Sequence, residues 1–385
     1  MNQTEQEIRQ LLQESADILK MNNNDSIRAS VRKLIETEMT KAMNFDVANA
    51  LETSTMDDEE WFGVMDRMTV YISRPFETVN AYDAAFFDIA KEIMGYSLDN
   101  IVEMLKKAFF GLKVGDQKRV EEYFDSYSFW GSLNPEENNW TSFENRAKTL
   151  KHHIIDFMWL YERFEDYDSK YTLIALIKNW LKLDTNFVSL VKSPYKDYFE
   201  PDIFRSNRDD VFVDVGAYVG DSIVDYASIY GAGYKKIYAY EISKESYNAL
   251  IELSKTGHDI YPINKGVGDH ADWLVLEEND SSDSANKLKN EGEGTKVELV
   301  TLDDDIKEPV TFIKMDVEGA EYGVLCGARQ HIINEKPKLA VCVYHGYDDL
   351  WRLPVLIESI RNDYKFYFRH YGGNLIPTEF VLICK

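Results

Sequence analysis

Residues 211–222 read VFVDVGAYVGDS, and this stretch decides the fold. Val211, Phe212, Val213 and Val215 form a short apolar run rich in β-branched residues, as in a strand covered on both faces. Gly216 and Gly220 bracket a turn in which backbone N–H groups can approach a ligand closely. Asp221 and Ser222 favour a helix start, and Ile223, Ala227 and Tyr230 follow at helical spacing. Asp214 falls at the carboxyl end of the strand, where open α/β sheets bind their ligands. Ala217, Tyr218 and Val219 separate the two glycines, which departs from the spacing of a dinucleotide fingerprint.

The segments that follow repeat the strand-then-turn logic. IYAYEISKES, Ile237 to Ser246, is a second short strand ending in Glu241 and Ile242, with Ser243 placed to cap a helix. An acidic residue about 20 positions beyond a glycine loop is where nucleotide-type sites grip ribose hydroxyls. A third strand, Ile260 to Asn264, runs into Val267, Gly268 and Asp269, a turn suited to lying against an adenine. TFIKMDVEGAEYGVLCGA, Thr311 to Ala328, delivers Asp316 and Glu318 to a strand end and continues as a helix.

Taken together, VDVGAYVGD, the YEIS strand end, TLDD at Thr301 to Asp304 and IKMDVEGAE resemble the FkbM-type methyltransferases, which depend on S-adenosylmethionine (SAM). LAVCVYHGYDDLWRLP and YKFYFRHY extend the resemblance to a bacterial subgroup, and WLYERFEDYDSKYTLIALI is similar to its helical extension. The resemblance implies a Rossmann-like, doubly wound α/β sheet of class I methyltransferase type, its last strand antiparallel, behind an all-α N-terminal region. It implies a cytoplasmic O-methyltransferase that modifies a hydroxyl of a saccharide, glycoconjugate or secondary metabolite. In that reading Asp214, Val215, Gly216, Ala217, Tyr218, Gly220, Asp221 and Ser222 hold the methionine end of SAM. Glu241 and Ile242 take the ribose, and Val267, Gly268 and Asp269 take the adenine. Asp316, Glu318 and His345 face the acceptor. Gly346 and Tyr347 replace the basic and proline residues usual after that histidine, which bears on substrate preference.

The residues themselves supply the chemistry. Methyl transfer to an alcohol needs alignment of the acceptor oxygen with the methyl group, and a group to take the hydroxyl proton. His345 follows the fifth strand and is the expected proton acceptor, with Asp316 or Glu318 orienting it. A divalent metal on these carboxylates, with Asp348 and Asp349 as further oxygen donors, is the less favoured arrangement, and metal ligands are left unassigned. His152 and His153 lie in an amphipathic helix and read as structural, and Asp303 to Asp305 as a turn. Tyr123, Tyr127, Phe129 and Trp130 read first as core packing and second as a platform for a sugar ring.

Composition sets limits. A net charge of −24 without a lysine–arginine block opposes a nucleic-acid substrate, whose phosphates demand a positive surface. The three cysteines lack the spacing of a zinc site or a disulfide framework. MNQTEQEIRQ lacks the features of a secretion signal, and no apolar run reaches the length of a membrane span. Three regions are expected: helices over 1–135, a helical extension over 136–200 and the methyltransferase domain over 201–385. Ile8, Leu11, Leu12, Ala16 and Leu19 form one helical stripe, and Ile27, Val31, Leu34, Ile35 and Met39 a second. Thr55 and Asp58 suggest a capped helix start, and Thr141 with Glu144 a capping box opening one helix through Phe164. Trp273 to Glu277 and Lys296 to Val300 suggest a side hairpin, and the polar stretch from Glu278 to Thr295 a mobile loop or lid.

Partners follow from the same reading: a small-molecule or glycan acceptor, with a homo-oligomer or protein partner left open through the N-terminal helices. Two rival functions remain. One is a non-catalytic adaptor that senses SAM; the other is an NAD-dependent nucleotide-sugar oxidoreductase, which the glycine spacing disfavours.

Overall fold

The computed structural model describes residues 2–21, 24–277, 287–289, 294–373 and 375–385. Most of the expected lid, 278–286 and 290–293, lies outside the described residues. The chain divides into two compact units, neither of them continuous in sequence. One comprises Met1–Gln117, Leu133–Glu162 and Leu173–Asp184; the other comprises Lys118–Ser132, Arg163–Thr172 and Thr185–Lys385. No described helix is long and apolar enough to cross a membrane.

The first unit is helical. Ile8, Leu12, Ala16 and Leu19 are buried along Gln3–Met21, as their spacing demands. The second stripe is narrower than expected: Ile35 and Met39 are buried on Asp25–Met43, while Ile27 and Leu34 are exposed. Asp57, not Thr55, caps Asp58–Met68 by accepting from the Glu60 N–H. The single helix expected through Phe164 is in fact two, Thr141–His152 and Ile154–Arg163, with His153 between them. Trp140 takes the N-cap position, without a side-chain cap.

The two adjacent histidines at this junction carry polar partners. His153 Nδ1 lies 2.8 Å from Asp156 and its Nε2 3.1 Å from Glu60, while His152 Nδ1 lies 2.7 Å from Glu60. Arg67 pairs with Asp156 on the same side. Both rings are buried and partnered, as structural histidines must be.

The second unit carries a seven-stranded sheet: β1 (Val211–Val215), β2 (Lys236–Tyr240), β3 (Ile260–Ile263), β4 (Phe312–Met315), β5 (Lys338–Cys342), β6 (Phe366–His370) and β7 (Phe380–Cys384). Their order is β6-β7-β5-β4-β1-β2-β3. Strand β7 is antiparallel to both neighbours, and the other pairs are parallel. This is the expected doubly wound sheet with its last strand reversed. Each of β1, β4 and β7 is buried at every position, which accounts for a sequence that is apolar apart from Asp214 in β1 and Lys314 in β4. Phe212 and Phe312 stack at 5.0 Å in the core beside Phe199 and Tyr226. Each such buried side chain contributes roughly 1.5–3 kcal/mol.

The side hairpin forms, with Asp272–Glu277 antiparallel to Thr295–Val300 and Gly266–Val267 added in parallel. Leu302–Asp305 is a short helix capped by Thr301, so the aspartate run sits at a chain reversal. Cys326, Cys342 and Cys384 are free thiols. Strand order changes direction between β1 and β4, and the crevice at their carboxyl ends is where such sheets take ligands.

Candidate active site

A cavity of about 570 Å³ opens at this crevice. That volume is in the range of small-molecule sites. Ten expected residues line it: Val215, Gly216, Tyr218, Asp221, Ser222, Glu241, Ile242, Val267, Asp316 and Glu318. Asp214, Ala217, Gly220, Gly268, Asp269 and His345 do not form its wall. Asp269 is turned outward, pairing with His270.

The glycine turn is built for close approach. Gly216 has φ +76°, and a Cβ there would sit 1.8 Å from the Asp316 carbonyl oxygen. Gly220, at φ +88°, precedes Asp221–Tyr230 and supplies no side-chain cap, leaving first-turn N–H groups for a ligand. Tyr218 also adopts positive φ, 47°, which for a tyrosine is strained. Its N–H donates to Glu241 Oε2 at 2.9 Å, and the Ser243 N–H donates to Oε1 at 2.7 Å. Each carboxylate oxygen keeps a further lone pair, as gripping vicinal hydroxyls requires. Asn264 secures the strand end by donating to the Glu241 carbonyl at 2.7 Å. A glycine cradle and a fixed acidic strand end on one cavity fit the polar ends of SAM.

Sequence reasoning missed Lys314. It interrupts the apolar β4 and stands in register with Asp214 of β1. Its Nζ lies 3.1 Å from Asp214 Oδ1 and donates to the Gly216 carbonyl at 2.7 Å. Burial disfavours the ammonium, but Asp214 and Asp316 outweigh it and hold the lysine above its ordinary range. Ser222 donates to the other Asp214 oxygen. Asp214 thus lies beneath the cavity, tying turn, strand and helix together. A lone acid and a lone cation inside two apolar strands were the available signal for this pair.

On the acceptor side, His345 Nδ1 lies 2.8 Å from Glu321 Oε1. Its Nε2 lies 3.2 Å from Asp316 Oδ1 and 3.6 Å from Glu318 Oε2. Glu321 also accepts the Val317 and Gly319 N–H groups, at 2.9 and 3.1 Å. Tyr198, another residue missed, donates to Asp316 Oδ2 at 2.7 Å. Phe129 lines the cavity with its ring edge-on to His345 at 6.0 Å, so one member of the aromatic cluster reaches the site.

Burial opposes ionisation throughout this cluster, and the neighbours decide the outcome. His345 is raised well above an ordinary histidine because Glu321 and Asp316 overcome its burial. Asp316 is held well below the usual carboxylate range, where His345, Lys314 and Tyr198 outweigh burial. Burial, with Asp316 and Glu321 adding to it, pushes Glu318 up to about 8. Glu318 sits at positive φ, 54°, as the backbone turns from β4 into the following helix. Asp349 and Glu379 are each raised to about 7, chiefly by burial. Asp348 is exposed and accepts from Trp351 at 3.1 Å, away from the cluster. The carboxylates and imidazole present atoms that could hold a cation.

Comparison with known proteins is consistent with this geometry. A family model described as the methyltransferase FkbM domain matches residues 214–370. The crystal structure of methyltransferase FkbM from Methylobacillus flagellatus KT is similar, with a TM-score of 0.53 and 26% identity. The similarity covers 63% of this chain and 62% of that one, so the chain spans less than two thirds of its relative. A putative rRNA methylase from Clostridium thermocellum aligns at TM-score 0.31 and 12% identity, over 47% of this chain and 88% of its own. An rRNA methylase from Streptococcus thermophilus aligns at TM-score 0.29 and 15% identity, over 46% and 87%. No curated protein matches significantly. Strand order, glycine turn and the 214–370 match agree, and this part of the chain is a methyltransferase FkbM domain.

Proposed function

We propose that this chain is a SAM-dependent O-methyltransferase acting on a hydroxyl of a saccharide, glycoconjugate or secondary metabolite. The observation that carries the reading is one cavity lined by both the Gly216–Glu241 cradle and the Asp316–Glu318 pair. When bound, SAM would supply an electrophilic methyl group for transfer to the acceptor oxygen. The glycine turn and the start of Asp221–Tyr230 hold the amino-acid end, and Glu241 holds the ribose hydroxyls. Lys314 fixes the turn from below. Asp316 and Glu318 face the acceptor, and the hydroxyl proton passes to Glu318 as the new bond forms. We assign His345 to positioning Asp316 in place of the expected proton acceptance, since both its nitrogens face carboxylates.

Two features favour a neutral hydroxylated ring. Phe129 gives an aromatic wall for an apolar ring face, and the carboxylates repel an anionic acceptor. Transfer of labelled methyl from SAM to a panel of neutral glycosides and sugar phosphates tests the reading. Labelling of neutral acceptors supports it; NAD-dependent oxidation of the panel without methyl transfer contradicts it.

A further inference from the structure

We propose that Asp316 and His345 hold a divalent cation on the acceptor side of the cavity, with Glu321 orienting the imidazole. The carrying observation is a pair of polar atoms that face each other without a hydrogen bond. His345 Nε2 and Asp316 Oδ1 pair at 3.2 Å, yet neither makes a hydrogen bond of normal geometry. His345 is 2% exposed, so bulk water does not reach it. A buried nitrogen and carboxylate oxygen that approach closely without a hydrogen bond are placed to share one cation as neighbouring ligands.

The spacing suits a metal ion. Metal–ligand bonds of about 2.1 Å set neighbouring ligands roughly 3.0–3.5 Å apart. The Asp316 oxygen is 3.2 Å from the histidine nitrogen, within that range. Asp316, Glu321 and His345 present ligand atoms within 4.8 Å of one another. The Glu321 bond to Nδ1, at 2.8 Å, adds a second argument. A metal-binding imidazole commonly donates its remote N–H to a carboxylate, which leaves the other nitrogen's lone pair for the metal. Glu321 is itself fixed by two backbone N–H groups, so the ring has little freedom.

Charge points the same way. Asp316, Glu318 and Glu321 crowd one imidazole, and a divalent cation offsets their repulsion. One imidazole nitrogen with carboxylate oxygens suits Mn²⁺ or Zn²⁺ better than a soft cuprous ion. The remaining coordination positions face the cavity, where an acceptor hydroxyl is polarised on binding. Only that last point rests on the function proposed above; the cation site stands without it.

The test uses full-length protein freed of metal with EDTA and then dialysed. MnCl₂ is titrated in, followed by calorimetry and by the electron paramagnetic resonance signal of free Mn²⁺. One saturable site is expected, weakened more than tenfold in Asp316→Asn and His345→Gln. Glu321→Gln weakens it about tenfold to a hundredfold. Asp304→Asn, exposed on the short helix Leu302–Asp305, leaves it unchanged. Titration with CoCl₂ gives a wild-type readout independent of variant folding, with visible absorption distinct from aqueous Co²⁺ expected. No saturable Mn²⁺ site, equal binding in Asp316→Asn, or an unchanged Co²⁺ spectrum overturns the proposal. Titration of S-adenosylhomocysteine, the demethylated product, separates the two readings. Product binding without Mn²⁺ binding removes the cation site alone, whereas Mn²⁺ binding without product binding removes the cofactor reading alone.

Discussion

The Lys314 ammonium donates to the Gly216 carbonyl oxygen at 2.7 Å while standing 3.1 Å from Asp214. One buried cation thus fixes the glycine turn and neutralises the acid beneath it. Lys314→Met leaves Asp214 buried and unpaired, and breaking such a pair costs about 3–5 kcal/mol. Urea unfolding is expected to show a loss of that size, much of it recovered in the Lys314→Met/Asp214→Asn double variant. An unchanged midpoint in the single variant contradicts the pairing.

Gly216 and Gly233 make a matched comparison. A Cβ at Gly216 meets the Asp316 carbonyl at 1.8 Å with φ +76°, whereas at Gly233 the nearest atom is Arg208 Cγ at 3.8 Å. Gly216→Ala is expected to abolish binding of S-adenosylhomocysteine, and Gly233→Ala to leave it within about twofold, in line with a stability change of no more than about 0.5 kcal/mol. Calorimetry checks both, and equal affinities would refute the close-approach argument.

His370 gives a pH dependence of known sign. Burial lowers its pKa to about 4, so the folded state holds a neutral ring that stacks on Phe380 at 4.5 Å. The folded pKa lies below the unfolded value of about 6.5, so protons favour unfolding as pH falls from about 6.5 towards 4. The group's contribution to the loss is up to about 2 kcal/mol at pH 5. Unfolding midpoints at pH 7 and pH 5 are expected to differ less in His370→Gln than in wild type; an equal difference rules His370 out.

Asp316 and Glu241 both line the cavity, and the proposed function predicts that their effects separate. Asp316→Asn is expected to lower methyl transfer by about 10²–10⁴-fold. Its affinity for S-adenosylhomocysteine should stay within threefold of wild type, roughly 0.6 kcal/mol. Steady-state rates alongside calorimetry provide the check, and a large loss of product affinity would move Asp316 into the cofactor site.

Sequence made the local parts of the fold legible and the long-range parts less so. Val211 to Ser222 declares its strand, turn and helix because β-branching, glycine and capping act within a few residues. Asp316 was legible for the same reason, as an acid ending an apolar strand. The partner of His152 and His153 was not, because Glu60 is far away in sequence. Tyr198 and Phe129 reach the cavity through tertiary placement that no local pattern encodes. Lys314 fell between these cases: a lysine in a buried strand demands a carboxylate, but only the β1–β4 register identifies Asp214. Ile27 and Leu34 show the converse, apolar residues at helical spacing that the first unit leaves exposed.

The most direct test of the central claim is calorimetric titration of wild type and Glu241→Ala with S-adenosylhomocysteine and with NAD. The geometry predicts saturable binding of S-adenosylhomocysteine, weakened at least tenfold in Glu241→Ala, and no NAD binding. Binding of NAD alone, or of neither ligand to folded protein, would contradict the cofactor site described above.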